Sequence, residues 1–171
     1  MGGQTSTSLP PLVPASGIME ISRFMGPWYV IGVKPTYFEI GAVNAVESYK
    51  WNAEKELIDI DFTFNQDKPD GPVKKIPQTG WIHNKETNME WRISPFWPVR
   101  LPYTIIELDP SPGKDPYKYT VIGYPNRAYV WIMAREPKMD EQLYKDILDR
   151  LVKNHQYDLT GLVKVLHTTK K

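Results

Sequence analysis

The side chains able to do covalent or metal chemistry are few, and their spacing argues against it. The chain has 3 His among 171 residues and no Cys. His83, His155 and His167 fall on three separate elements without His-x-x-x-His or His–carboxylate spacing, so no metal site and no cofactor are expected. The missing Cys excludes a thiol nucleophile, a Cys–zinc site, a disulfide scaffold and a lipid-modified N-terminal Cys. Neither a Gly-rich phosphate loop nor a Gly-x-Ser-x-Gly elbow is present. That leaves Glu47 and Glu107, which lie in strand-like runs whose phase the pattern leaves unresolved. Facing one interior they could serve acid–base work; otherwise one of them faces solvent.

The larger resource is apolar and aromatic surface: 6 Trp, 10 Tyr and 5 Phe, together with 16 Pro. One concentrated piece is the loop Pro95-Phe96-Trp97-Pro98-Val99-Arg100-Leu101-Pro102, too rigid and too apolar to be buried by a tight hairpin. An amphipathic indole beside a cation suits the headgroup region of a bilayer, which makes Phe96, Trp97, Arg100 and Leu101 membrane-contact candidates. A lid over a ligand opening, or a contact in a weak homodimer, is the alternative for the same loop. The near balance of 21 Lys and Arg against 20 Asp and Glu argues against a nucleic-acid partner. No Asn-x-Ser/Thr sequon occurs, which fits an intracellular protein, and no stretch approaches the roughly 18 apolar residues of a membrane span.

The elements that must position these residues are short and regular. Runs rich in β-formers cover about 28–33, 43–51, 58–64, 74–83, 89–94, 103–109, 117–124 and 129–136, each joined to the next by a short turn-rich connection. The third is clearest: Ile58, Ile60, Phe62 and Phe64 alternate with Asp59, Asp61 and Thr63, which gives one apolar and one wet face. Eight strands in an up-and-down antiparallel meander can close into a β-barrel without an exposed edge. After Pro137 the period changes. Leu143, Ile147, Leu148, Leu151 and Val152 recur at helical spacing and predict one α-helix packed on the barrel wall. Leu162 to His167 can return as a short extra strand. The fold class expected is therefore all-β with one C-terminal helix.

Residues 1–18 read as a flexible or loosely draped arm, and residues 19–171 as one domain. Met1-Gly2 followed by Ser6 fits the Met-Gly-x-x-x-Ser/Thr pattern and makes Gly2 the lipidation candidate, a plain arm being the alternative. A single acyl chain holds a membrane weakly, so a second contact would be needed. The arm lacks a basic segment followed by an apolar one, so a cleaved secretory leader is not expected; secretion stays open if the chain is a mature form. The location expected is intracellular, at the surface of a membrane.

Three motifs then converge on one family. Ser22-Arg23-Phe24-Met25-Gly26-Pro27-Trp28-Tyr29 resembles the first lipocalin motif, a helical turn followed by Gly-x-Trp-Tyr at the start of the first strand. Tyr129-Val130-Trp131-Ile132-Met133-Ala134-Arg135 is similar to the motif that closes the eighth strand on an Arg. Ser94-Pro95-Phe96-Trp97-Pro98 and Val121-Ile122-Gly123-Tyr124-Pro125-Asn126-Arg127 resemble the subgroup holding plant temperature-induced lipocalins, the bacterial outer-membrane lipocalin and apolipoprotein D. The likeness runs from about residue 19 to residue 167. It departs at the turn after Asp109, where the family's compact Asp-x-x-Tyr is replaced by a longer insert before Tyr117 and Tyr119.

The resemblance implies that Gly26, Trp28 and Arg135 form a structural barrel floor, with the guanidinium across the indole. Fixing Trp28 and Arg135 inward, period two places Val30 and Gly32, and Met133, Trp131 and Tyr129, inward as well. Ile58, Ile60, Phe62, Phe64, Met89, Trp91 and Ile93 complete the expected lining of an open cup, a filled core being the alternative. The function implied is carriage or storage of a small hydrophobic ligand such as a fatty acid, lysophospholipid, sterol or carotenoid, with any polar head at the mouth. The alternative is a peripheral subunit of a membrane complex acting through its outer wall and apolar loop. Enzymes exist among the relatives, but one uses a Cys nucleophile and the others carry extra domains, so no catalytic residue is expected here.

Overall fold

The computed structural model describes residues 8–168. Eight strands follow one another as an antiparallel meander: β1 (Gly26–Lys34), β2 (Ala42–Asn52), β3 (Leu57–Gln66), β4 (Val73–Ile82), β5 (Glu90–Ser94), β6 (Leu101–Leu108), β7 (Tyr119–Gly123) and β8 (Val130–Ala134). Neighbours in sequence are neighbours in the sheet, and β1 pairs with both β8 and β2, which closes the barrel. A one-turn helix, α1 (Ile21–Phe24), lies just before β1, and a 3-10 turn, Tyr37–Glu39, joins β1 to β2. The long helix α2 (Glu141–His155) follows the barrel, and a two-residue strand β9 (Val163–Lys164) returns to pair with β1.

Helix α2 starts where the Asp140 side chain accepts a hydrogen bond from the Leu143 N–H (2.9 Å), and Gln156 ends it in the left-handed region (φ 57°). Its buried face is Tyr144, Ile147, Leu151 and His155, packed on Ile31, Ile106, Val121, Val130 and Ile132 of the outer wall. Tyr144 was not among the expected stripe, while Val152 stands exposed. The described part of the arm is draped over the barrel: the Ala15 N–H donates to the Ile105 carbonyl (2.9 Å), and Leu12 packs with the α2 cluster.

Bulges interrupt three strands and reverse their phase. In β1 the register slips between Val30 and Gly32, so Ile31 and Gly32 both face α2 and Val33 returns to the interior. Gly32 therefore does not line the cup as strict alternation predicts. A Cβ there would stand 2.6 Å from the Tyr144 hydroxyl, so its missing side chain makes room for the helix. In β6 the slip between Ile105 and Glu107 turns Glu107 outward. In β2 it falls between Val43 and Val46, where Asn44 has φ 54°.

Candidate functional site

The lower end of the barrel is shut by side chains from four segments. Gly26 enters β1 at φ 96°, a conformation that favours glycine, and leaves Arg135 room beside it. Arg135, just after β8, lies 3.8 Å above the Trp28 ring. Its guanidinium donates to the carbonyls of Tyr117, Pro27, Arg23, Phe24 and Met25 at 2.8–3.1 Å. Burial pulls the Arg135 pKa down to about 10, yet it stays charged at neutral pH. The Trp28 indole N–H donates to the Phe24 carbonyl (2.8 Å), and Phe24 in turn packs on Tyr49 and Trp91. Arg23 adds a second cation–aromatic contact, 4.0 Å above Tyr117, and ties down the long insert through the Ser111 and Asp115 carbonyls. Asp109 holds the other side of that insert by accepting from the Ser111 and Lys118 N–H groups; burial pushes its carboxyl up, but these donors outweigh it and hold it below its ordinary value. No functional weight was placed on Arg23, Asp109 or Tyr117 in the sequence, although Arg23 and Tyr117 stand in or beside recognised motifs.

Above the floor, Val30, Val33, Ile58, Ile60, Phe62, Phe64, Met89, Trp91, Ile93 and Met133 form one continuous buried cluster, with Trp131 partly buried against it. Tyr129 stands outside that cluster, half-buried at the mouth between Tyr124 and Trp131. The buried members are at most 7% exposed. The cup expected to be open is thus filled by its own lining in this structure, because the aromatic rings and Met side chains lean on one another across it.

This arrangement can be compared with known proteins. A family model described as a lipocalin-like domain matches residues 19–167. The chain belongs to the lipocalin family. Temperature-induced lipocalin-1 of Arabidopsis thaliana is 26% identical over 155 residues, covering 85% of this chain and 78% of that protein. The outer membrane lipoprotein Blc of Escherichia coli K12 is 24% identical over 129 residues, covering 75% of this chain and 69% of its own. Among solved structures, insecticyanin from the tobacco hornworm Manduca sexta superposes with a TM-score of 0.66 at 15% identity, covering 95% of this chain and 87% of the other. Lipocalins as a family bind and transport small hydrophobic ligands and are in general carriers rather than enzymes.

The two carboxylates left open by the sequence part company in this lipocalin. Glu107 faces outward and is chelated by Arg150 of α2, with Nε to both carboxylate oxygens at 2.9 and 3.0 Å and Nη2 to one at 2.8 Å. His155 Nε2 lies 3.7 Å away on the same carboxylate. Burial pushes the Glu107 carboxyl up, but these two partners outweigh it and hold the pKa below the ordinary range. The group is an anchor for α2. Glu47 faces inward, opposite Trp28 on β1 and Phe62 on β3, and is 9% exposed. Burial, reinforced by the negative charge of Glu39, pushes its pKa up to about 8. Its hydrogen bond from the Gln78 amide is long, 3.5 Å.

The apolar loop between β5 and β6 lies at the mouth, since alternate connections of the meander share an end. Phe96 and Trp97 are 65% and 76% exposed, and Arg100 is held beside them over the Trp81 ring (4.2 Å) and the Trp97 ring (5.8 Å). Leu101 is exposed at the start of β6. Tyr37, Phe38 and Ile40, on the β1–β2 connection at the same end, are exposed too and were not picked out from the sequence. A Tyr-Phe pair two residues after the strand-ending Pro35 was the available signal. Gly2 lies outside the described residues. Among the described residues no helix is long and apolar enough to cross a membrane.

Proposed function

We propose that this lipocalin carries or stores one elongated apolar molecule, of the fatty acid, lysophospholipid, sterol or carotenoid class, inside the barrel and works at a membrane surface. One observation carries the reading: a contiguous apolar lining, interrupted by Glu47 and Gln78, runs from the sealed floor at Trp28 to Phe64 and Val33 near the mouth. Because the lining is packed, a ligand gains the interior only by displacing side chains. Met89 and Met133, unbranched and flexible, are the least costly to move. About ten buried CH₂ groups at about 0.8 kcal/mol each give roughly 8 kcal/mol gross. Association and side-chain displacement reduce that to an affinity on the order of micromolar. Native mass spectrometry of gently purified protein should show a co-purified apolar molecule, and Trp fluorescence should respond when it is removed and restored. Bare protein whose fluorescence is indifferent to every lipid class would overturn the reading.

A second reading, a subunit acting through its outer wall, is favoured by the filled interior and by the exposed rings at Phe96, Trp97, Tyr37 and Phe38. Liposome flotation of wild type and Trp97→Ala separates the partners: loss of flotation in the variant supports a bilayer contact. Equal partition of both proteins removes the loop from that role and leaves a protein partner or a weak homodimer, read by pull-down from membranes and by sedimentation. Acylation of Gly2 would supply a further contact, and mass spectrometry of the native protein showing an unmodified Gly2 would remove it.

A further inference from the structure

Several polar side chains of the interior are gathered at one place. Glu47 on β2, Gln78 on β4, and the Tyr49–Tyr103 pair on β2 and β6 share the lower third of the barrel, just above the Trp28 floor. The two phenols touch at 2.6 Å, and Tyr103 is stacked on Trp91 (centroids 5.0 Å apart, planes 10° apart), so its hydroxyl is held in place. One phenol proton is used inside that pair, and the other is left for a further acceptor. Glu47 is close enough for its charge to act on both phenols. Its own carboxylate has one long hydrogen bond, from Gln78. It has no ion pair among the described residues: Arg135 spends its donors on five carbonyls at the floor, and Glu39 adds a like charge.

An unpaired strand edge lies beside this group. β4 pairs with β5 only over Thr79–Ile82, so Val73 to Gln78 have β3 as their one sheet neighbour among the described residues. Beside that unpaired edge lies a cleft of about 650 Å³ whose walls include Pro77, Gln78, Ser94, Pro95, Phe96 and Trp97. Gln78 thus lines the cleft and bonds Glu47 at the same time.

We propose that Glu47, Gln78 and the Tyr49–Tyr103 pair form a polar subsite at the bottom of the barrel that receives the hydrogen-bond-donating head of an amphiphile, a long-chain amine in particular, so that the ligand lies head-down. A buried carboxylate short of donors gains most from a donor, and more from a charged one. Below about pH 8 Glu47 holds its proton, and an ammonium head draws that proton off to form an ion pair; a carboxylate head meets the negative charge of Glu39 and, once Glu47 ionises, a second like charge. The inference rests on the reading of the interior as the ligand site, and it reverses the expectation of a polar head at the mouth.

Three probes of equal chain length test it: dodecylamine, dodecan-1-ol and dodecanoate, titrated at pH 9, where the Glu47 carboxyl is ionised, against the full chain and followed by Trp fluorescence. Wild type should bind the amine about tenfold or more tighter than dodecanoate, the alcohol lying between. In Glu47→Gln the amine should lose about tenfold while the alcohol changes little and dodecanoate gains, with thermal melting confirming the fold. Dodecanoate binding wild type as tightly as the amine overturns the proposal without any variant being needed. So does an amine-to-dodecanoate ratio left unchanged by Glu47→Gln. If none of the three binds, the subsite falls, and the function proposed above is then decided by the co-purified molecule.

Discussion

Replacing Glu47 by Gln should stabilise the protein, and by an amount that depends on pH in a defined way. The carboxyl titrates at its ordinary 4.5 in the unfolded chain and at about 8 in the folded one, pushed up by burial and by Glu39. Below pH 4.5 both states hold the proton, and the group costs nothing. Between those values the unfolded chain is ionised while the folded one must keep its proton, so stability falls as pH rises, by about 1.4 kcal/mol per pH unit. Above pH 8 both states are ionised and the penalty levels off at about 5 kcal/mol. Gln copies the protonated acid in shape and does not titrate. At pH 7 the variant should therefore exceed wild type by about 3 kcal/mol, and near pH 4 the two should coincide. Urea unfolding at several pH values measures this, with the midpoint moving and the slope unchanged. Other groups, Glu107 and Asp109 among them, impose their own pH dependence on both proteins and cancel in the difference. Parallel curves from pH 5 to 8, or a variant weaker than wild type at pH 7, would refute the placement of Glu47 as a buried, uncompensated acid.

Gly32→Val is expected to lower stability by about 2 kcal/mol or more, since its side chain would drive into the Tyr144 ring; an unchanged thermal midpoint with weakened ligand binding would return Gly32 to the interior. Arg135→Lys loses the planar fork that serves five carbonyls and should cost about 3 kcal/mol in urea unfolding, a loss under 1 kcal/mol being incompatible with the floor described. Glu107→Gln breaks the contact to Arg150 and should cost about 1–2 kcal/mol at pH 7. The Glu107 pKa is lowered on folding, so that contribution is present above the ordinary carboxylate range and fades as pH falls through it; a variant deficit independent of pH between 3 and 7 would contradict it.

The parts legible in the sequence were those set by local pattern. Alternation at Ile58, Ile60, Phe62 and Phe64 survives intact in β3 because that strand has no bulge and pairs in register along its length. Trp28 and Arg135 were placed by motif, and the floor contact follows from them. Counting by twos failed where a strand slips. Gly32 was carried inward across a bulge, and Glu47 could not be oriented because β2 slips at Asn44. Such slips answer to the neighbouring strand and to α2, which a period within one strand does not register. Glycine inside a strand was the local warning at β1. The Tyr49–Tyr103 contact joins residues 54 positions apart on strands of unresolved phase, so nothing short-range announced it.

The segment that follows α2 has a role in the order of assembly. β1 pairs with β2 only over Gly26 to Tyr29; higher up, its free edge is taken by the segment that returns after α2. There the Val165 N–H donates to the Ile31 carbonyl, a His167 ring nitrogen meets the Val30 carbonyl, and on the far side the Asn44 N–H donates to the Leu166 carbonyl. Residues 163–168 are thus a splice between the first strand and the second. A chain emerging from the ribosome has all eight staves of its barrel before it has the piece that splices the upper part of this seam, so that part of the closure follows the strands and helix α2 rather than accompanying them.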